Sequence, residues 1–131
     1  MPQETKKILI VDDEPGVVAY LEMLLQDHGY ETASAANGEE ALVKARSDRP
    51  DLITLDISMP GKDGVEVFRE LRGSPDTAGM AICVVTGHPE FREVIYSASV
   101  SKPDGYMHKP VNPDDLVGGL RRILDLKKAE H

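Results

Sequence analysis

Tryptophan is absent from this sequence, and aromatic residues make up only 5% of it. Base stacking on aromatic side chains, a main route to gripping single-stranded nucleic acid, therefore has little to work with. Positive charge is also scarce: 15 basic residues against 23 acidic ones leave a formal net charge of -8. That balance argues against direct binding to a phosphate backbone, which relies on clustered Lys and Arg. The single cysteine, Cys83, sits in the apolar run AICVV with no second thiol to pair with. A disulfide framework is excluded, and a core thiol in a reducing compartment is expected. No apolar stretch reaches the length of a membrane span, and the one after Lys6 and Lys7 is too short for a signal peptide. The four histidines show no recurring ligand spacing, so zinc is not indicated. These absences describe a cytoplasmic protein that contacts neither membrane nor nucleic acid directly. Its 131 residues suit a single domain over 1–131, with flexible ends at 1–5 and 128–131. A chain of this size buries roughly two-thirds of its unfolded surface, so a core needs no structural metal.

What is present is alternation. The run KKILIV predicts a first strand ending at Asp12. PGVVAYLEMLLQDHG then places Val17, Leu21, Leu24 and Leu25 on one helical face, with Gly29 as the stop. ETASAA is a short second strand. NGEEALVKAR opens on Asn37, with Glu40 at the spacing of a capping box. DLITLDIS is a third strand, the loop MPGKDG follows it, and GVEVFRELR forms a short amphipathic helix. AICVVTG is a fourth strand, PEFREVIYSASV a fourth helix through Phe91, Val94, Ile95 and Ala98, and GYMH a fifth strand. The last helix begins with Asn112 as cap, Pro113 in the first turn, and Asp114 and Asp115 against the positive end of the dipole.

Five strand–helix rounds predict an α/β fold, a doubly wound (βα)5 three-layer sandwich with parallel strands and right-handed crossovers. ILIV, LITL and ICVV are continuous apolar runs, as strands covered on both faces require, whereas ETASAA and GYMH are more polar and suit the edges. This matches the flavodoxin-like sheet order 2-1-3-4-5. Parallel strands share one C-terminal edge, so Asp12, Asp13, Asp56, Thr86 and Lys109 converge near the switch point where open α/β sheets bind ligands. Three carboxylates in one crevice repel each other and pay for desolvation. A hard divalent cation removes both problems, and Mg2+ favours one or two carboxylates together with phosphate oxygens. With that ion and Lys109 the formal charge falls to about zero, which admits a phosphoryl group. A carboxylate such as Asp56 can then act as nucleophile toward phosphorus. Thr86 supplies a hydroxyl donor, and Gly87 leaves room for a phosphoryl oxygen.

In this order and at these separations, VDDE, LDISMPGKDG, VVTG and YMHKP resemble the response regulator receiver domain of two-component signalling, similar to chemotaxis regulators, over essentially the whole chain. The resemblance implies a phosphorylation-activated switch that takes a phosphoryl group on Asp56 from a histidine kinase or phosphotransfer protein. It implies Mg2+ bound by Asp13 directly, by Asp12 through water, by Asp56 and by the backbone carbonyl of Ser58. Lys109 would pair with the phosphoryl oxygens, and the Lys109–Pro110 bond is commonly cis in such domains. Thr86 and Tyr106 correspond to the switch pair that remodels the face of the fourth helix, fifth strand and last helix. Ser58 and His88 occupy positions that tune phosphoryl lifetime. Partners would be a downstream protein target and, in some relatives, a second copy in a phosphorylation-dependent homodimer. Catalysis would be confined to self-phosphotransfer and autodephosphorylation.

One stretch departs from the pattern. SASVSKPDGY replaces the usual small-residue turn before the fifth strand, and Pro103 holds Lys102 extended. Two other functions use similar residues. A Mg2+-dependent phosphohydrolase would need a second acid/base near Asp56 and a substrate-selecting cap, but Ser58 stands two residues on and no insertion is long enough. A degenerate receiver acting as a phosphate-independent interaction module would not need Asp13, Asp56, Thr86 and Lys109 together. No output segment follows the last helix, so the expected output lies in a partner or in sequence beyond this chain.

Overall fold

The computed structural model describes residues 5–57, 64–87 and 102–129. Five strands, β1 (Lys7–Val11), β2 (Glu31–Ala35), β3 (Leu52–Leu55), β4 (Ala81–Thr86) and β5 (Gly105–His108), form one sheet in the order β2-β1-β3-β4-β5. All four pairings are parallel. The helices are α1 (Pro15–Asp27), α2 (Gly38–Asp48), α3 (Gly64–Gly73) and, after β5, α4 (Pro113–Ala129). The predicted helix over PEFREVIYSASV lies outside the described residues, as do Ser58 and His88.

Strand composition explains the order. Every residue of β3 and β4 is buried, whereas β2 and β5 keep partly exposed positions, as edge strands do. Alternate side chains divide the core into two layers. Leu9, Val11, Ile53, Leu55, Ile82 and Val84 meet α2 and α3 on one face, with Phe68 fully buried among them. Ile8, Ile10, Cys83 and Val85 meet Leu21 and Leu25 of α1 and Leu116, Leu120, Ile123 and Leu124 of α4 on the other. Cys83 is fully buried, and burial followed by the charge of Asp104 pushes its thiol up to about 12, so it is an inert core residue.

The predicted caps form. The Asn37 side chain accepts from the Glu40 amide at 2.9 Å, while the Glu40 carboxylate accepts from the Ala36 amide, one residue before the cap. The Asn112 side chain accepts from the amides of Asp114 and Asp115 at 2.9 and 3.2 Å. Gly29 takes φ +90 after α1, the left-handed conformation that favours glycine at a helix end. No helix among the described residues is long and apolar enough to cross a membrane.

Candidate functional site

The C-terminal edge of the sheet is built by backbone bonds that run one residue past the strands. The amide of Asp12 donates to the carbonyl of Ala35 at 3.1 Å, that of Asp56 to Val11 at 2.9 Å, and that of Lys109 to Thr86 at 2.9 Å. Each of the three donors therefore sits just beyond its own strand, locked to the last residue of a neighbouring one. The strands proper stop at Val11, Leu55 and His108, one residue short of Asp12, Asp56 and Lys109. Their side chains are thereby aimed over the edge.

Asp12 and Asp56 are buried, and Asp13 is half-buried. Carboxylate oxygens of the three lie within 4.8 Å of one another. The Lys109 ammonium lies 2.7 Å from Asp12, 3.5 Å from Asp56 and 3.7 Å from Glu14. Burial disfavours its charged form, but the Asp12 hydrogen bond and the charges of Asp56, Asp12 and Glu14 outweigh this. Its pKa stands above the ordinary lysine value. Lys109 is thus a fixed cation. Three carboxylates against one ammonium leave two negative charges uncompensated. An all-oxygen donor set with that residual charge fits a hard divalent cation of the Mg2+ type.

Thr86 closes β4 and is fully buried. In the β4–β5 register Val84 faces Tyr106 and Thr86 faces His108. The four side chains therefore share one face of the sheet, with Tyr106 and His108 in edge contact at 5.4 Å between ring centroids. Tyr106 packs against the core layer that also holds Val84. Gly87 follows Thr86 and is exposed. A Cβ built on it would stand 3.9 Å from the Lys109 Cβ, an ordinary van der Waals contact, so Gly87 lies directly beside the lysine. The Lys109–Pro110 bond is cis. The structure therefore brings together Asp12, Asp13, Asp56, Thr86, Gly87 and Lys109, with Tyr106 two residues down the neighbouring strand.

Two contributors are not evident from motif spacing. Glu14 immediately follows the acidic pair, yet as a helix-leading acid it reads as an ordinary dipole partner. Gly64 opens α3, and its amide donates to the Ile57 carbonyl at 2.9 Å. It seats that helix against the backbone carrying Asp56. The only sequence signal for it is the glycine closing MPGKDG.

Residues 8–121 match the response regulator receiver domain family. The alkaline phosphatase synthesis transcriptional regulatory protein PhoP of Bacillus subtilis is 38% identical, over 91% of this chain and 48% of its own length. The DNA-binding response regulator MtrA of Mycolicibacterium smegmatis is 35% identical, over 95% of this chain and 53% of its own. The chain thus spans about half the length of these curated relatives. A CheY-like response regulator receiver domain protein from Methanospirillum hungatei superposes with a TM-score of 0.89 at 31% identity, covering 98% of this chain and 100% of that one. The response regulator TrrA of Thermotoga maritima, crystallised in complex with Mg2+-BeF, superposes at 0.81 with 39% identity, covering 91% and 99%.

Proposed function

The chain belongs to the response regulator receiver domain family, the phosphorylation-activated switches of two-component signalling, and on that footing we propose that Asp56 is its phosphoacceptor. The observation carrying this assignment is the meeting of Asp12, Asp13 and Asp56 at the C-terminal edge of the sheet, with the Lys109 ammonium held against Asp12 and Asp56. Asp56 is the buried acid of the three that follows β3, with its backbone fixed by Val11 and its start of α3 behind it.

A carboxylate oxygen of Asp56 attacks phosphorus and forms an O–P bond as the bond from phosphorus to the donor breaks. With a phosphohistidine donor, the departing imidazole nitrogen keeps the bonding pair and takes up a proton from solvent. Lys109 exchanges its carboxylate partners for the incoming phosphoryl oxygens, and Thr86 donates its hydroxyl to one of them. Asp12, Asp13, Asp56 and the carbonyl of Ser58 are the proposed holders of Mg2+, which would supply charge neutralisation for the transferring group. Movement of the Thr86 hydroxyl toward the phosphoryl group makes room for Tyr106, which shares its face of the sheet, and so alters the surface around β5 and α4. His88 and Ser58 are proposed to tune how long the phosphoryl group survives. The donor is a histidine kinase or phosphotransfer protein, and the receiver of the signal is a protein. A phosphorylation-dependent homodimer remains part of this proposal, and DNA binding belongs to the relatives whose names state it.

Incubation with acetyl phosphate and Mg2+ should add one phosphoryl mass to the intact protein and none to Asp56→Asn. Chelation of the metal should suppress the modification. Equal labelling of Asp56→Asn, or no labelling of the wild type by any donor, would remove the assignment.

A further inference from the structure

Glu14 has no duty in the reaction just described, yet it is held against the site. Its amide donates to Asp12 Oδ1 at 2.9 Å, and its carbonyl accepts from Val18 as α1 begins. It occupies the cap position of that helix, but its side chain makes no capping bond. The carboxylate instead lies 3.7 Å from Lys109 Nζ while its side chain remains 65% exposed. It is the outermost of three carboxylates around one ammonium, the others being buried Asp12 and Asp56. Exposed where the other two are buried, its charge faces solvent beside the lysine that would receive a phosphoryl group.

We propose that Glu14 is an electrostatic gate that selects phosphoryl donors by charge. It competes with the incoming oxygens for Lys109 and repels the donor in proportion to the donor's negative charge. Small dianionic acyl phosphates are slowed most and a monoanionic phosphoramidate less. A protein-borne donor that brings cations of its own is slowed least. The gate would insulate the switch from free acyl phosphates while leaving a docked protein donor effective. This inference rests on Asp56 and Lys109 having the roles proposed above.

The test measures initial phosphorylation rates at saturating Mg2+ for wild type, Glu14→Gln and Glu14→Ser. Serine removes the charge and caps α1, so one variant retains the helix start by design. With acetyl phosphate both variants should react about three- to tenfold faster than wild type, the size expected of one nearby charge acting on a dianion in largely aqueous screening. With phosphoramidate the gain should be about the square root of that factor, since the donor carries half the charge. Both gains should shrink at about 1 M salt, where the screening length falls to roughly 3 Å. Unchanged rates with acetyl phosphate, or equal gains with the two donors, would overturn the gate while leaving Asp56 as phosphoacceptor. Failure of the wild type and of both variants to react with either small donor or with any phosphorylated histidine kinase would overturn the Asp56 assignment and the gate with it.

Discussion

At Gly64 the chain leaves no room for a side chain: a Cβ built there would overlap the Asp56 carbonyl oxygen and the Ile57 Cα. Both obstacles are backbone, so neither can rotate aside. Gly64→Ala must push α3 away from the strand end that carries Asp56. The expected cost is about 1–3 kcal/mol, as for other overpacked sites, with slower phosphoryl uptake from acetyl phosphate. Urea denaturation and the uptake rate check it, and wild-type values in both would mean that the contact yields freely. This requirement was not legible in MPGKDG, which reads as a Gly/Pro loop, because it arises from a close approach in three dimensions. The convergence of Asp12, Asp13, Asp56, Thr86 and Lys109 was legible, because in a parallel sheet a residue's place at a strand end decides its edge. Glu14 was not, since nothing in VDDEPG says that its side chain forgoes the helix and turns to Lys109.

Among the elements, α4 carries a local weakness. Gly118 and Gly119 lie inside it, where glycine lowers helix stability by roughly 0.5–1 kcal/mol relative to alanine. The two differ in their surroundings. A Cβ on Gly119 would come within 2.5 Å of the Met107 Cε, whereas Gly118 faces open space. Gly118→Ala is therefore expected to stabilise the protein by about 0.5–1 kcal/mol. Gly119→Ala should yield less, because the Met107 tip must move. Paired thermal melts of the two variants decide it, and an equal gain would show that the methionine shifts without cost. For the described elements, type and sheet position were readable from the apolar runs of β1, β3 and β4 and from the caps Asn37 and Asn112. The expected capping box closed on Ala36 instead of Asn37, a distinction that residue spacing alone does not carry.

Across the whole molecule, the edge opposite the acidic cluster is tied by Arg72 and Asp104. Arg72, almost wholly buried, donates to the carbonyls of Ala78, Met80 and Lys102 and to Asp104 at 2.8 Å. The Asp104 carboxylate also accepts from the Ile82 amide at 2.8 Å and meets the Lys127 ammonium at 3.2 Å, so one side chain joins α3, β4 and α4. Neither partner was singled out in the sequence: Arg72 ends an amphipathic helix, Asp104 sits in a loop, and 32 residues separate them. Burial raises the Asp104 pKa, but the Ile82 amide, Arg72 and Lys127 outweigh it and hold the acid below the ordinary carboxylate value. An acid depressed in the folded state stabilises above its unfolded pKa of about 3.9, and that contribution fades as pH falls through the folded value. Asp104→Asn should therefore cost roughly 2–4 kcal/mol near neutrality, chiefly by leaving the Arg72 charge without its counterion. The gap between the denaturation midpoints of the two proteins should start to narrow as the pH falls through about 4 and close only beneath the lowered folded-state value. A constant difference across the acid range would mean that the carboxylate's charge plays no part.

The same ties bear on β5, which has four residues. Just before it, the amide of Asp104 donates to the Ile82 carbonyl at 2.8 Å, and just after it the amide of Lys109 donates to Thr86 at 2.9 Å. A ribbon this short, fastened at both extremities, has no axial slack. The Tyr106 rotamer change proposed above would therefore have to turn the ring between staggered wells over a main chain held in register.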